Sequence, residues 1–530
     1  MISLLHLIFG VLLIPIILII YKVILYPLTR LLYLKYVHLD KVRIFYTYGQ
    51  GFFPQFKKNL LEKKDSLAFV REMYSKKLQT ALFSIGTKVG FIFLDPELIK
   101  QVHQNADAFK KNDGSLAITY LFSNSLLFVK GKEWQRQRQF LAKSFNFQDI
   151  KNYLPIFKDV SSKIFGLIRN NLEISGTQEI EIVKTCEKVT SEAVFRVFFG
   201  QTSQNLMVTS KDGSSTLLAH ELVAVVVDSF HMLLHDKLLL IKFTMLGKNS
   251  INILPTQSEL KLLNRLKEVK RVCLEIVEKR RNELLKDQSQ FKNNFLDQYL
   301  KETLINQNKL ITDEEIIENF IGLFFAGTDT TGNMTGVALY YLSLYPEIQQ
   351  KAREEIQKVL SSKCNSNENL DELFNSLTFE DLQQLDLINS ILKESLRLIP
   401  PAPSVFPRIA ERDIKIGDFQ LKKGDFVNTY FIYNFYNPDQ FSNPEVFDPY
   451  RWMNQNESQN VFNFTPFSLG PRNCIGQHFG MIEGKCMLIY ALLNFDILPN
   501  KNQEVKKIMG TIYGFEKDNL VYFKKRNINN

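Results

Sequence analysis

The chain of 530 residues contains little cysteine, histidine or tryptophan, with five, seven and two residues of these types. An odd number of widely spaced cysteines excludes a disulfide framework and a paired-cysteine zinc site, and it fits a reducing compartment. Lys and Arg outnumber Asp and Glu by 65 to 56, but the cations are dispersed. No basic stripe suits nucleic acid, so we expect no nucleic-acid partner. The cysteines are Cys186, Cys273, Cys364, Cys474 and Cys486.

One long apolar run, residues 2–21, carries no formal charge and would form a helix about 30 Å long, enough to cross a bilayer. Cations begin at Lys22 and none precedes the run, so the positive-inside rule places the remaining chain in the cytosol. A cleaved signal peptide is the alternative, disfavoured because a basic leading segment and a small-residue cleavage site are both missing. We predict a single-pass transmembrane anchor at 1–22, a membrane-proximal linker at 23–50 and one large domain at 51–530.

Helical periods dominate the sequence from about residue 60 onward. Short alternating runs at 80–94, 414–430 and 508–524 predict strands of small sheets. The apolar segment 215–247 is either a pair of core helices, which its periodicity favours, or a lid over a substrate entrance. The sequence therefore predicts a mostly α fold with small β-sheets.

The stretch FSLGPRNCIG, residues 467–476, places Cys474 just ahead of an apolar helix. Backbone N–H groups at a helix N-terminus stabilise a thiolate, which is a metal ligand. Gly470 and Gly476 can take positive φ and leave room for a flat cofactor, and Arg472 offers a fork for a carboxylate. The alternative is an inert buried cysteine, which is how most free cysteines behave.

The longest predicted helix begins with a capping box, Thr312 to Glu315, and stops before Pro346. Inside it, AGTDTT at 326–331 inserts polar residues into an apolar core helix. These residues either let another element pack closely, with Thr hydroxyls bonded to carbonyls four residues earlier, or open the helix locally at Gly327 over a cofactor. In the second case Asp329 and Thr330 would pass protons.

Further motifs place arginine beside glutamate or tryptophan. Glu394 and Arg397 lie three residues apart in a leucine-rich helix, and Arg451 follows in FDPYRW. The alternatives are a surface salt bridge of little value and a buried pair whose further hydrogen bonds Arg451 supplies. Trp134 and Arg138 share one helical face in GKEWQRQR, a pattern that on its own favours an amphipathic helix with a solvated basic side.

In their order along the chain, these motifs resemble those of the cytochrome P450 family. The pattern F-x-x-G-x-R-x-C-x-G is similar to the family's haem-binding signature, and AGTDTT is similar to its oxygen-activation motif. The resemblance implies the cytochrome P450 fold behind a single transmembrane helix, haem b with Cys474 as axial ligand, and catalytic roles for Asp329 and Thr330. It also implies haem contacts for Trp134, Arg138, Arg408, Phe467 and Arg472, and a scaffold of Glu394, Arg397 and Arg451 beneath the cysteine loop.

The resemblance further implies an NADPH-dependent monooxygenase of the endoplasmic reticulum membrane, with its catalytic domain cytosolic. The branch resembles fatty-acid hydroxylases and xenobiotic oxidases, so the expected substrate is lipophilic: a fatty acid, sterol or xenobiotic. The expected partners are O2, membrane lipid, a separate NADPH–cytochrome P450 reductase and a b-type cytochrome as a further donor. We expect the reductase to dock on a basic face containing Lys132 and Lys485. The alternatives are a haem-thiolate isomerase or dehydratase of lipid peroxides, and a non-catalytic membrane-anchored haem sensor.

The resemblance also indicates where substrate would be contacted and how haem would be held. The segments are apolar or small: 115–128, Phe324 and Phe325, Pro403 to Phe406, and Thr511 to Gly514. Some fatty-acid members carry a glutamate that esterifies haem at the position of Ala326. The alanine here predicts that haem is not covalently bound.

Overall fold

The computed structural model describes residues 13–14, 16–46, 51, 53–85, 87–111, 122–203, 206–235, 239, 242, 253–292, 294–305, 311–361, 370–404, 407–453, 463–516 and 520–526. Most of the predicted anchor, residues 1–12 and 15, lies outside them. In the described part of the chain, one helix, Ile16–Lys41, is long and apolar enough to span a membrane, with a mean hydropathy of 1.7. It includes a π-helical stretch at Tyr21–Leu25.

Helices make up most of the described structure, as predicted from the sequence. They are α1 Tyr26–His38, α2 Phe53–Lys63, α3 Ala68–Ser75, α4 Pro96–Gln104, α5 Gly131–Leu141, α6 Phe147–Ser175, α7 Ile182–Phe199, α8 Leu218–His235, α9 Gln257–Lys286, α10 Phe295–Leu304, α11 Asp313–Leu344, α12 Pro346–Leu360, α13 Leu370–Asn375, α14 Phe379–Gln384, α15 Asp386–Leu398, α16 Ile432–Phe435 and α17 Gln477–Asn494.

Small sheets lie beside the helices, and the three predicted strand regions all contain strands. The largest sheet has the order β1-β2-β3-β11-β8-β4, and the others pair β9 with β10, β6 with β7, β13 with β14, and β12 and β5 with β15. The strands are β1 Val42–Phe45, β2 Thr80–Ile85, β3 Lys88–Phe93, β4 Phe109–Lys111, β5 Thr177–Glu181, β6 Met207–Thr209, β7 Ser215–Leu217, β8 Arg408–Ala410, β9 Ile414–Ile416, β10 Phe419–Leu421, β11 Phe426–Thr429, β12 Phe495–Pro499, β13 Lys507–Met509, β14 Tyr513–Phe515 and β15 Leu520–Lys525.

The predicted linker at 23–50 contains ordered elements. Helix α1 buries Pro27, Leu31 and Leu34, and β1 pairs in parallel with β2 inside the large sheet. This segment packs on the sheet through contacts with residues far along the chain, and local sequence patterns do not indicate such contacts. The domain boundaries at 22 and 50 stay predictions.

The long helix α11 crosses the molecule as predicted, with both halves of the capping box formed by Thr312 and Glu315. It packs closely against α7, because a Cβ at Gly332 would lie 2.6 Å from Glu187 Cγ and 2.9 Å from its Cα. Helix α8 buries Leu218 and Leu222 in the core, as periodicity favours for its segment, whereas most of 236–247 lies outside the described residues.

Candidate functional site

The cysteine loop folds as a tight turn in front of α17. The Cys474 amide donates to the Phe467 carbonyl at 2.8 Å, and the Asn473 amide donates to the Gly470 carbonyl at 3.0 Å. Gly470 has a φ of +75°, which a side chain would strain. The prediction for Gly476 was wrong in part: its φ is −92°, although a Cβ there would lie 4.0 Å from Cys474 Sγ. Gly476 therefore keeps the surroundings of the sulfur open without adopting an unusual backbone.

The Cys474 side chain is solvent-accessible, unlike Cys186, Cys273 and Cys486, which are buried. Burial by surrounding protein nevertheless raises the pKa of its thiol, while a backbone hydrogen bond from Gly476 and the charge of Arg138 act in the opposite direction. An atom that is accessible yet surrounded by protein lies in a recess.

Helix α5 brings Trp134 and Arg138 against this loop. The Arg138 guanidinium donates to the Asn473 carbonyl at 2.9 Å and to Asn473 Oδ1 at 2.8 Å. Arg472 donates to the Val129 carbonyl at 2.9 Å and lies over the Trp134 ring, 4.6 Å from its centroid. The two sequence motifs, more than 300 residues apart, are thus in contact in the folded chain.

Cations accumulate beside the loop without matching acids. Burial lowers the pKa of Arg408 and that of Arg138, and burial with the charges of Arg408 and Arg138 lowers the pKa of Arg472 to about 10. Within the described residues, none of these three guanidinium groups forms an ion pair with a carboxylate. Partly buried cations that repel one another favour an anionic ligand among them.

Lys111 belongs to the same cluster, and we did not predict it from the sequence. It faces Arg408 directly across antiparallel strands β4 and β8, and its ammonium donates to the Leu127 carbonyl. Burial lowers the pKa of Lys111, and the charges of Arg472, Arg408 and Lys130 lower it further. The basic pair Lys110–Lys111 was the visible signal, but only the strand register shows which lysine joins the arginines.

Helix α11 presents its polar segment at a second side of the site. Ala326, Gly327, Asp329 and Thr330 are partly accessible, although the helix is almost entirely buried on both sides of this segment. Such accessibility inside a core helix indicates a cavity lining. Helix α17 contacts α11 at the next residue, Thr331, whose Oγ1 would lie 3.0 Å from a Cβ at Gly480. This crossing brings the segment towards the end of α17 that carries the cysteine loop.

The predicted local opening of α11 is absent, because the helix is regular through Gly327. The Thr330 hydroxyl donates to the Ala326 carbonyl at 2.5 Å, the bond expected from the close-packing interpretation. Burial raises the pKa of Asp329 to about 7. Asp329 is therefore poised to hold or release a proton near neutral pH.

Below the loop, Glu394 is the centre of a buried network. Arg397 donates to both of its carboxylate oxygens at 2.8 and 2.9 Å, and Arg451 donates at 3.2 Å. The predicted contact of these three residues is confirmed. Trp452 adds an indole N–H bond of 2.9 Å to Glu394. The network ties α15 to the segment that precedes the cysteine loop.

A comparison with family models decides the family. The model described as cytochrome P450 matches residues 51–521, most of the chain. The chain belongs to the cytochrome P450 family.

Curated cytochromes P450 align with it over most of their length. Cytochrome P450 4F8 of Homo sapiens is 28% identical over 421 residues, covering 77% of this chain and 76% of the relative. Cytochrome P450 4F4 of Rattus norvegicus is 29% identical over 395 residues, covering 72% and 70%. Cytochrome P450 734A1 of Arabidopsis thaliana is 24% identical over 420 residues, covering 78% and 74%.

Family membership makes the protein a cytochrome P450 monooxygenase whose cofactor is haem b, with iron bound by a cysteine thiolate. The residues present fit that cofactor. An accessible cysteine lies in a recess. Beside it the guanidinium groups of Arg138, Arg408 and Arg472 have no carboxylate partner among the described residues, and the two haem carboxylates need such positive charge.

Several predicted contacts of this cytochrome P450 lie elsewhere or outside the described residues. Phe324 is buried, 5.7 Å from the Phe320 ring, and Tyr513 turns into the core to bond Asp65 at 2.8 Å. Residues 112–121, 405 and 406 are not described. Lys485 is not a free surface charge: it donates to the Leu382 carbonyl at 2.7 Å, and burial lowers its pKa to about 8.

Proposed function

We propose that Cys474 is the axial ligand of haem b in a monooxygenase that oxidises a lipophilic substrate. When bound, the haem supplies oxygen activation, which a thiolate ligand favours by donating electron density. Trp134, Arg138, Arg408 and Arg472 would hold the two haem carboxylates. One observation supports this proposal best. An accessible cysteine and three guanidinium groups, which have no carboxylate partner among the described residues, converge on one recess.

Asp329 and Thr330 are proposed to handle protons on the cavity side of α11. Asp329 with a pKa of about 7 is present in both protonation forms at neutral pH. The Thr330 hydroxyl, bonded to the Ala326 carbonyl at present, can rotate about χ1 and donate into the cavity instead. A carboxyl that takes up protons from solvent and a hydroxyl that orients a proton suit the delivery of protons into the cavity.

The substrate class follows from the lining and from the relatives. Partly accessible Phe325 and Ala326 present apolar surface beside Asp329 and Thr330. A cavity of that kind favours lipophilic molecules, held by apolar burial with few polar contacts. We propose a fatty acid, sterol or xenobiotic, because the sequence resembles the branch containing fatty-acid hydroxylases.

Electrons are proposed to come from NADPH through a separate NADPH–cytochrome P450 reductase, with a b-type cytochrome as a second donor. A groove of about 390 Å³ lies beside the cysteine loop and is lined by Phe464, Phe467 and Met481 among others. Because Lys485 is engaged, exposed Lys132 is the better candidate for the docking charge. We expect Lys132→Glu to raise the KM for reductase. The matched control is Lys415→Glu, because Lys415 is the exposed residue of β9. Equal effects of both changes on the KM for reductase would contradict this docking face.

The proposed location is the endoplasmic reticulum membrane, with a single span and a cytosolic catalytic domain. The apolar helix Ile16–Lys41 and the cations that follow the run 2–21 support this orientation. Protease protection of a C-terminal epitope in sealed microsomes would contradict it.

The deciding experiment is spectroscopic. The reduced protein with CO should show the red-shifted Soret band of a thiolate haem, and Cys474→Ser should abolish that band. Turnover should then consume NADPH only when both reductase and substrate are present. Conversion of lipid peroxides without reductase would instead favour an isomerase or dehydratase. A thiolate spectrum without turnover of any lipophilic substrate would favour a haem sensor.

A further inference from the structure

The anchor helix continues into the catalytic domain as helix throughout. Residues 16–41 form one helical segment, π-helical at Tyr21–Leu25 and of 3-10 type at Leu39–Lys41, and α1 lies between these two stretches. Leu31 and Leu34 are buried against the domain, so the membrane-crossing part must end before them. Tyr21, the last residue of the apolar run, precedes Leu31 by ten residues, which is about 15 Å of helix. The domain surface thus lies within three helical turns of the end of the apolar run.

An ion pair fastens α1 to the large sheet. The guanidinium of Arg30 forms two parallel hydrogen bonds with the carboxylate of Asp425, one of them 2.5 Å long. Their side chains are only 14% and 4% exposed, and Asp425 also accepts the Lys422 amide at 2.7 Å. A paired fork of this kind sets orientation as well as distance, and removing one partner leaves the other charge buried.

The end of the same helix is held by further contacts. The His38 ring lies 4.4 Å from the Phe419 ring, and β1 begins at Val42 and pairs with β2. Helix, turn and strand therefore attach to the domain at successive points over residues 30–45. A segment fixed at several points cannot rotate freely against the body that holds it.

The opposite face of α1 is apolar, aromatic and exposed. Tyr33, Tyr36 and Leu39 are 64%, 78% and 64% exposed, and Leu32 and Val37 lie beside them. Tyrosines at the end of a transmembrane helix are typical of the lipid headgroup region, where the ring is apolar and the hydroxyl is hydrated. Because this face continues the apolar span, its occupant is the bilayer interface.

We infer that the anchor and the catalytic domain are one rigid unit, with the Tyr33–Tyr36 face of α1 lying in the bilayer interface and the Arg30–Asp425 pair setting the tilt of the domain. The inference rests on the proposed membrane anchoring. Access from the lipid phase to the substrate cavity is then set by the helix, since a fixed tilt keeps the same domain surface at the membrane.

The test measures the haem tilt of the full-length holoenzyme in oriented bilayers of phosphatidylcholine and phosphatidylserine by polarised absorption. The wild type should show pronounced dichroism, which a single tilt produces. Asp425→Asn should reduce it, because the helix then pivots. Lys41→Gln is the matched control, since its pair with Asp418 at 2.6 Å is exposed, and it should leave the dichroism unchanged.

Alkaline carbonate extraction separates the two ways of failing. A wild-type chain that carbonate releases would remove the anchoring and the inference together. A retained wild type with isotropic haem absorption overturns the rigid unit alone. Undiminished dichroism in Asp425→Asn overturns the role of the Arg30–Asp425 pair in setting the tilt. Tyr36→Glu provides a second variant: it should shift the tilt while extraction stays as in the wild type, and an unchanged tilt would refute the interfacial face.

Discussion

Lys111 and Arg408 are directly opposite each other on strands β4 and β8, two half-buried cations in one cross-strand pair. Like charges in this position are destabilising. Arg472 adds a third positive charge, since it is among the causes that lower the pKa of Lys111. The carboxylates of the proposed haem would supply negative charge beside these groups.

Replacing Lys111 should therefore affect the holoenzyme and the apoprotein in opposite directions. We expect Lys111→Met to release haem faster to an acceptor protein. The free energy of unfolding of the apoprotein, from urea titration, should stay unchanged or rise by up to ~1 kcal/mol. The matched control is Lys110→Met, because the Lys110 ammonium is exposed 3.7 Å from Glu411. Haem release that is equal in wild type and Lys111→Met would exclude Lys111 from the haem site.

The buried network around Glu394 should dominate the stability of the cysteine loop. Glu394→Gln leaves Arg397 and Arg451 short of a counter-charge and should cost about 3–5 kcal/mol. Trp452→Phe removes one hydrogen bond to a charged group and should cost about 1.5–3 kcal/mol. Both costs can be measured by unfolding the holoenzyme in denaturant, with loss of the thiolate Soret band as the signal. The hypothesis of a scaffold fails if Glu394→Gln unfolds at the wild-type midpoint.

Asp329 should give turnover a pH dependence near neutrality. Burial raises the pKa of this carboxyl to about 7, so the protonated donor form is present below that pH and is lost above it. Coupled turnover should therefore decline above pH 7, and Asp329→Asn should lower it about 10²–10⁴-fold and abolish this limb of the profile. An unaltered profile in Asp329→Asn would assign the limb to another group.

Glu483 should make stability fall as pH rises. Both of its carboxylate oxygens are buried on α17 without a hydrogen-bond partner among the described residues, and burial raises its pKa well above the ordinary 4.5. The folded state then binds a proton that the unfolded state releases, so stability is full below pH 4.5 and declines above it. Glu483→Gln should flatten this decline in urea midpoints measured from pH 5 to 8. Exposed Glu504→Gln is the control and should retain the wild-type slope.

Haem should extract freely into acidified organic solvent. The haem ester that the family resemblance suggests for some fatty-acid members uses a glutamate at the position of Ala326, and alanine cannot form this bond. Haem that stays on the polypeptide after extraction would contradict the prediction. Ala326→Glu provides the complementary variant, in which partial retention is expected after turnover.

Local chemistry made much of the site predictable. The capping box at Thr312 and the spacing of Glu394 and Arg397 follow rules that act within one helical turn, and both are found as expected. The loop around Cys474 could be predicted because its glycines and its following helix are contiguous in the chain. Alternation likewise located β2, β3, β9 to β11 and β13 to β15, but not the remaining strands of the described residues.

Contacts between distant segments could not be predicted in this way. Register between β4 and β8 decides that Lys111 faces Arg408, and packing of α14 against α17 decides that Lys485 bonds Leu382. The sequence also left open whether α11 is regular or locally opened at Gly327, and the helix is regular there. A glycine is tolerated inside a helix where the neighbouring turns are packed on both sides.

The sequence by itself determined the family, the cysteine, the long helix and the presence of an apolar N-terminal run, because each is written in a short pattern with its own chemistry. Only the tertiary structure decided which cations surround the site, that Trp452 bonds Glu394, and that Arg30 joins the anchor helix to Asp425. The physical reason is that folding brings together residues that are distant in the chain, nearly 400 positions apart for Arg30 and Asp425. Local periodicity does not indicate which of such residues are buried or paired.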